Sequence, residues 1–426
     1  MIIQFASLVY AFILLFLIII GNKKNIRWLF PILFLTYPNA ADNFLPGYYL
    51  NYSYLAMSTE ASPFSLIDIF FLIILIKLNM IKKIPSNILL IILIVFISGT
   101  IAQVIGYHRY FFSIVFLFFL LIRLILFISI LLSLYSNQKE IELMLVGVII
   151  STFLISFESL IYTYLNNLDR LTSGNLANNS LGQFLSVATI ITLYFYIYQK
   201  KSFELYFKKT GLFIIVFMII FTILTGTRMA IILIFIGFLP IIFSKYNRIK
   251  AIIFLLLGIS SLYLIIQNNE VLSRLNIFSY YDKIILSKME LNEYTSPILS
   301  RFFMWEVTYE MFVKNWFLGV GYMAWDFSRW DFGVNYLVRI DPHNAYMSIL
   351  VEFGVLIFII ILYLLIKLIK IIIIKYKYND YKGIVISVIL ILIGQITNNS
   401  FIKLQYLLFF ISLVIILYIK NINYNN

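Results

Sequence analysis

Residues 111–134 read FFSIVFLFFLLIRLILFISILLSL, an apolar run holding a single charge, Arg123. A helix of about 20 apolar residues crosses the roughly 30 Å of a bilayer's hydrocarbon, so this stretch has the length and chemistry of one membrane span. An arginine at mid-span costs about 2.5–3.5 kcal/mol on insertion scales. Arg123 must therefore face a cavity or a carboxylate, with Asp68 and Glu158 as the candidates. The pattern repeats outward in both directions. Runs at 2–20, 26–40, 63–79, 85–105, 141–163, 180–198, 211–225, 228–243, 250–267, 345–366, 383–399 and 403–419 complete a set of thirteen, the second interrupted by Pro31. A β-barrel would instead alternate in polarity over about ten residues per strand, and is excluded. The expected fold class is an all-α polytopic membrane protein of about 12–13 transmembrane helices, a single integral membrane domain over 1–426. The first 20 residues lack a basic leader and a small-residue cleavage site, and read as a first span rather than a signal peptide.

A net charge of +13 points to nucleic acid only if its distribution is ignored. Of the 32 lysines and arginines, 20 fall in alternate connections, among them Lys23, Lys24 and Arg27, then Lys200, Lys201, Lys208 and Lys209, then Lys367 to Lys382. The opposite short connections hold only Arg109, Arg170, Arg228 and Lys403. The positive-inside bias assigns the lysine-rich connections and the C-terminus to the cytoplasm, and the N-terminus to the outside. Segments 38–62, 164–179 and 268–344 then face outward. No nucleic acid partner is expected. The chain has no cysteine, which excludes disulfides and thiolate catalysis.

The chain is 62% hydrophobic and 12% charged, yet residues 268–344 gather nine of its 19 acidic residues, four of its five tryptophans and one of its two histidines. A loop of this length is uncommon unless it has a function. Inside it, Pro297-Ile298-Leu299-Ser300-Arg301 leads into an amphipathic run over 302–313, with Ser300 as N-cap and Phe303, Val307, Glu310 and Met311 along one stripe, expected at the membrane interface. Leu318-Gly319-Val320-Gly321-Tyr322 follows as a turn.

Three residues carry the candidate chemistry. Arg228 ends the tight connection Thr225-Gly226-Thr227-Arg228; it is either an anchor snorkelling to lipid headgroups or a bidentate ligand for phosphate. Arg301 is either a solvated charge paired with a nearby acid or, with Arg228, the second half of a diphosphate clamp. His343, in Asp341-Pro342-His343-Asn344, is either a structural histidine at a helix start or a general base, since imidazole titrates near pH 6.5. Asn344 suits a helix cap. Asp341, Glu306, and Arg109 beside His108 are accessory candidates. Two distant histidines and no Asp-x-Asp cluster make a poor metal site, so no metal or other cofactor is expected.

These pieces resemble, in order, the O-antigen ligase and polymerase superfamily of bacterial surface-polysaccharide assembly. Thr225-Gly226-Thr227-Arg228 is similar to its Thr/Ser-rich turn ending in Arg, and Ser300-Arg301 with Met304-Trp305 to the arginine opening its amphipathic helix. Asn315-Trp316-Phe317-Leu318-Gly319-Val320-Gly321 is similar to its Pro-Leu-x-Gly-x-Gly turn, with Trp316 in place of Pro. His343-Asn344, nine residues and Gly354 close the set. The resemblance implies an inverting, metal-independent glycosyl transfer on the outer face of the cytoplasmic membrane. Its substrates would be an undecaprenyl-diphosphate-linked glycan donor and acceptor, and its further partners a chain-length regulator and a flippase. Arg228 and Arg301 would hold the donor diphosphate, and His343 would deprotonate or orient the acceptor hydroxyl. Three residues after Gly354, ligases usually carry Gly, Thr or Tyr; Ile357 stands there, which favours a polymerase over a ligase. A flippase, which makes no bond, is the alternative of another class, but it would pair short loops with more intramembrane charge than this chain holds.

Overall fold

A computed structural model describes residues 2–37, 65–79, 84–105, 111–168, 170–173, 176, 178–207, 210–243, 249, 256, 297–322, 324–328 and 342–422. The expected span at 250–267, much of the 268–344 loop, and the candidates Arg109, His108 and Asp341 lie outside them. The described residues form helices and no strand: α1 (Ile2–Ile20), α2 (Lys23–Thr36), α3 (Leu66–Leu78), α4 (Ser86–Ile105), α5 (Phe111–Leu134), α6 (Gln138–Leu165), α7 (Asn178–Tyr198), α8 (Lys200–Phe207), α9 (Gly211–Leu224), α10 (Arg228–Ile242), α11 (Pro297–Lys314), α12 (Trp325–Ser328), α13 (Ala345–Lys375), α14 (Asn379–Gly394) and α15 (Leu404–Ile422). Every expected span within the described residues coincides with one of these helices.

The chain is thus an all-α polytopic membrane protein. Among the described residues four helices, within α5, α6, α7 and α13, are each long and apolar enough to cross a bilayer alone. Others are shorter: α9, α10 and α14 have 14, 15 and 16 residues, or about 21–24 Å of helix.

Burial follows the logic of a lipid-facing protein rather than that of a water-facing one. Helix α7 is buried over 89% of its apolar window, and the more apolar α13 over 22%. α7 packs against α6, α9, α10 and α14. It does so with small and hydroxylated residues, whose protons go back to its own backbone: Ser186 Oγ to the Gln183 carbonyl at 2.8 Å, Thr189 to Leu185 at 2.7 Å and Thr192 to Ala188 at 2.8 Å. Small residues let helix backbones approach closely where lipid offers no hydrophobic drive between helices.

The intramembrane arginine has its carboxylate. Arg123 Nε and Nη2 donate to the two oxygens of Asp68 at 2.6 and 2.8 Å. Asp68 in turn belongs to a capping box with Ser65 at the start of α3. Of the two sequence candidates it is therefore Asp68 that makes the salt bridge, and a fork–fork pair of this kind is the strong form of that contact.

The amphipathic loop helix begins earlier than its sequence suggested. α11 starts at Pro297, a residue favoured in the first helical turn, so Ser300 lies inside the helix and is not its cap. Its buried stripe is Met304, Val307 and Met311, which pack with Val320, Ala324, Trp325 and Val351; Glu310 is exposed.

Candidate functional site

The loop helix and α13 are joined through backbone at two glycines. α13 is broken at Gly354, whose φ of +69° and ψ of −178° leave the helical region. The Val355 amide, which would otherwise bond the Val351 carbonyl one turn back, donates to Trp316 O at 2.8 Å. The carbonyls so released accept from the turn: Val351 O from Val320 N, and Glu352 O from Gly321 N, both at 2.8 Å. A Cβ on Gly354 would come within 2.3 Å of Phe317 O, and one on Gly319 within 2.4 Å of Glu352 O. The two backbones therefore touch only because both positions lack a side chain. Tyr322 follows the turn and packs at a tilt beside Phe353, with ring centroids 5.8 Å apart. Burial pushes its phenol well above the usual tyrosine value, the Glu352 charge adds to the rise, and Arg123 opposes it.

His343 stands at the head of α13 in a left-handed conformation, φ +53°, which few residues other than glycine, Asn, Asp and His adopt. Its neighbours hold it there. The Trp305 indole N–H donates to the Pro342 carbonyl at 2.8 Å. The Asn344 side chain caps α13, accepting from the Tyr346 and Met347 amides at 3.0 and 3.1 Å. The Ala345 amide donates to Gln395 O at 3.0 Å. The imidazole Nδ1 is 3.4 Å from the Asn398 side-chain oxygen.

From Asn398 the contacts run into the bundle. Its amide nitrogen meets Ser400 Oγ at 2.7 Å and Ser180 Oγ at 3.4 Å, and Ser400 donates to Gln183 at 2.8 Å. Ser180 and Gln183 belong to the first turn and a half of α7. Between them lies Gly182, against which the Arg228 connection packs: a Cβ there would be 2.7 Å from Thr225 Oγ1 and 2.8 Å from Thr227 Cβ.

Arg228 is the first residue of α10, and Thr227 makes no side-chain cap there. Arg170 spans the connection from outside the α9–α10 pair. Its Nε donates to Thr225 O at 2.9 Å, and its Nη2 lies 3.5 Å from Thr227 Oγ1. Gly226, at φ +60°, keeps the space that Arg170 occupies; a Cβ would lie 3.2 Å from its Nε.

The segment at His343 is thus bonded toward α11 through Pro342 and, through Asn398, to the α7 turn against which the Arg228 connection packs. Arg301 lies on α11 four residues before Trp305, one helical turn away on the same face. Asn344 is a helix cap and Glu306 is exposed on α11. Sequence reading missed Arg170, Gln183 and Asn398 as members of this assembly. Arg170 could have been flagged as one of few basic residues among the opposite connections, whereas nothing local marks Asn398 or Gln183. At the other end of α7, Gln199 donates to Asp380 O at 2.9 Å, and Lys382 lies over the Tyr198 ring. The lysine-rich connections therefore sit about 30 Å of helix away from His343.

Residues 213–362 match the family model described as O-antigen ligase. The match takes in Arg228, Arg301, His343 and Gly354, and leaves out Arg170, Gln183 and Asn398. No curated protein matches the chain.

Proposed function

Through residues 213–362 the chain belongs to the O-antigen ligase/polymerase superfamily, and on that premise we propose that it is a polymerase of undecaprenyl-diphosphate-linked oligosaccharide repeat units. It would act from the outer face of the bacterial cytoplasmic membrane. The superfamily supports an enzyme of glycosyltransferase type working on lipid-linked glycans. The finer reading gives each residue a task. Arg228 and Arg301 grip the donor diphosphate and stabilise it as it leaves with the electrons of the glycosidic bond. His343 removes the proton from the acceptor hydroxyl, which attacks the anomeric carbon from the opposite face and inverts it. Removing a preorganised donor to developing charge typically costs about 10²–10³-fold in rate, and removing a positioned base roughly 10²–10⁴-fold.

The observation that carries this reading is the set of contacts around His343: hydrogen bonds toward α11 at Pro342 and Trp305 and into α7 through Asn398, with Gly182 of α7 packed against the Arg228 connection. Two further features support it. The start of α10 lacks a side-chain cap and carries Arg228, and amides at a helix start suit an anion. The lysine-rich connections lie at the far end of α7, as the positive-inside bias requires of an outward-facing site. Ile357, standing where ligases usually carry Gly, Thr or Tyr, favours the polymerase, and it is buried with Leu117, Leu121 and Phe353. The family description favours a second reading, a ligase that moves the glycan to lipid A-core or another acceptor.

Purified protein in liposomes, given a polyprenyl-diphosphate-linked oligosaccharide, tests this directly. Longer glycan on the carrier, with one free polyprenyl diphosphate per new bond, is expected. Product only when lipid A-core is added selects the ligase, and movement of substrate across the bilayer without bond formation overturns both.

A further inference from the structure

Donor and acceptor roles from His343 into the bundle can be assigned one after another from a single fixed point. The Gly394 carbonyl can only accept, so the Gln183 group 3.0 Å from it is the NH2, and the Gln183 carbonyl faces the other way. That carbonyl lies 2.8 Å from Ser400 Oγ, which spends its one proton there. The Ser400 oxygen is then an acceptor for the Asn398 amide nitrogen at 2.7 Å, and the Ser180 hydroxyl 3.4 Å away meets the same nitrogen. Asn398 is thereby oriented with its carbonyl oxygen 3.4 Å from His343 Nδ1. A carbonyl cannot donate, so the proton of this contact belongs to Nδ1. The relay residues are buried, with Gln183 and Ser400 at 0% exposure and Asn398 at 7%, so bulk water does not compete for these groups.

We propose that Asn398 is a positioning residue which holds neutral His343 as the Nδ1–H tautomer and so presents the Nε2 lone pair to the acceptor hydroxyl. The bond made by one ring nitrogen sets the state of the other. This rests on the base role given to His343 above. The step balances: the hydroxyl proton passes to Nε2, the oxygen's electron pair forms the bond to the anomeric carbon, and the bond from that carbon to the diphosphate breaks with its electrons on the phosphate oxygen. The imidazolium keeps its Nδ1–H on the Asn398 carbonyl, whose dipole favours the new positive charge. Gln183, Asn398 and Ser400 all lie outside the matched segment 213–362, so the device belongs to α7 and the connection between α14 and α15 that receive His343.

The chain has two histidines, so His108→Gln leaves a single imidazole to observe. Full-length protein carrying this change, labelled with ring ¹⁵N,¹³C-histidine, is measured in liposomes by solid-state NMR at a pH where imidazole is neutral. The protonated nitrogen is expected to correlate with Cγ, marking Nδ1, and the unprotonated one with Cδ2, marking Nε2. A proton on Nε2 overturns the proposal. Asn398→Leu is expected to move the proton to Nε2 in much of the population and to lower turnover roughly 10²-fold with little change in KM. An unchanged Nδ1–H signal in that variant overturns the role of Asn398. Should it not accumulate, Ser180→Ala/Ser400→Ala removes both acceptors that orient the amide and is expected to mix the tautomers; an unmixed spectrum overturns the relay. The two readings fail separately. Turnover that survives His343→Ala removes the base, whereas lost turnover in that variant with Nε2–H in the parent removes the tautomer relay alone.

Discussion

Among the described residues two junctions hold the polar loop onto the bundle, and they are built from opposite materials. At Gly319 and Gly354 the chain touches itself backbone to backbone, and a side chain on either would intrude. At His343 the chain is held through side chains, Asn398, Ser400 and Gln183, in a fixed sequence of donors and acceptors. The first junction supplies rigidity and tolerates no added atom. The second supplies direction to a proton and tolerates no wrong heteroatom. Substitutions should therefore separate cleanly: glycine changes cost fold, and relay changes cost chemistry.

The largest effect is expected for His343→Asn. Asparagine accepts the left-handed backbone of this position, so the protein should accumulate normally while single-turnover rates fall roughly 10²–10⁴-fold. Loss of folded protein instead would make the histidine structural and erase the contrast. Next comes Arg228→Lys. An ammonium cannot make the forked contact of a guanidinium, so chain extension should drop about 10²–10³-fold, read as polymer length on a gel at normal protein level. Retained length would return Arg228 to the role of a headgroup anchor.

Gly354→Ala tests the other junction. Forcing φ +69° on alanine costs about 1–3 kcal/mol before the overlap with Phe317 O is counted. Thermal unfolding should shift downward, and the folded fraction that survives should turn over at near the parent rate. A rate defect without a stability defect would mean that the backbone junction also steers chemistry. The smallest effect is expected for Arg170→Lys, which keeps a charge but loses the Nε contact to Thr225 O. The KM for the lipid-linked donor should rise several-fold with kcat nearly kept, measured in liposomes; a kcat loss alone would move Arg170 from holding the turn to acting on the leaving group.

Sequence carried the helices well because each span is a long apolar run bounded by polar or charged residues, and the run at 111–134 already displays this. Arg123 announced a partner by its cost, and Asp68 was one of only two candidates offered. Asn344 could be read as a cap from its residue type and place. The start of α11 was misread because Ser300 and Pro297 are both helix-start residues, and the structure uses the proline. Gly319 and Gly321 advertised a turn, yet not that it meets Gly354, since contact between two backbones leaves no complementary side chains to notice. Asn398 and Gln183 were invisible for a related reason: an amide in a bundle full of polar residues acquires meaning only from what stands opposite it, 55 residues from His343 and 211 residues from Gly394.

The central claim is that two guanidinium groups and one imidazole, carried by α10, α11 and the head of α13, surround one phosphorylated lipid head. An experimental structure of the full chain in lipid nanodiscs with a bound polyprenyl-diphosphate-linked glycan tests it most directly. Arg228 and Arg301 are both expected within hydrogen-bond reach, about 3 Å, of the diphosphate oxygens, with His343 Nε2 facing the acceptor position on the other side of the anomeric carbon. A diphosphate seated away from either arginine, or an imidazole turned from the sugar, would contradict it.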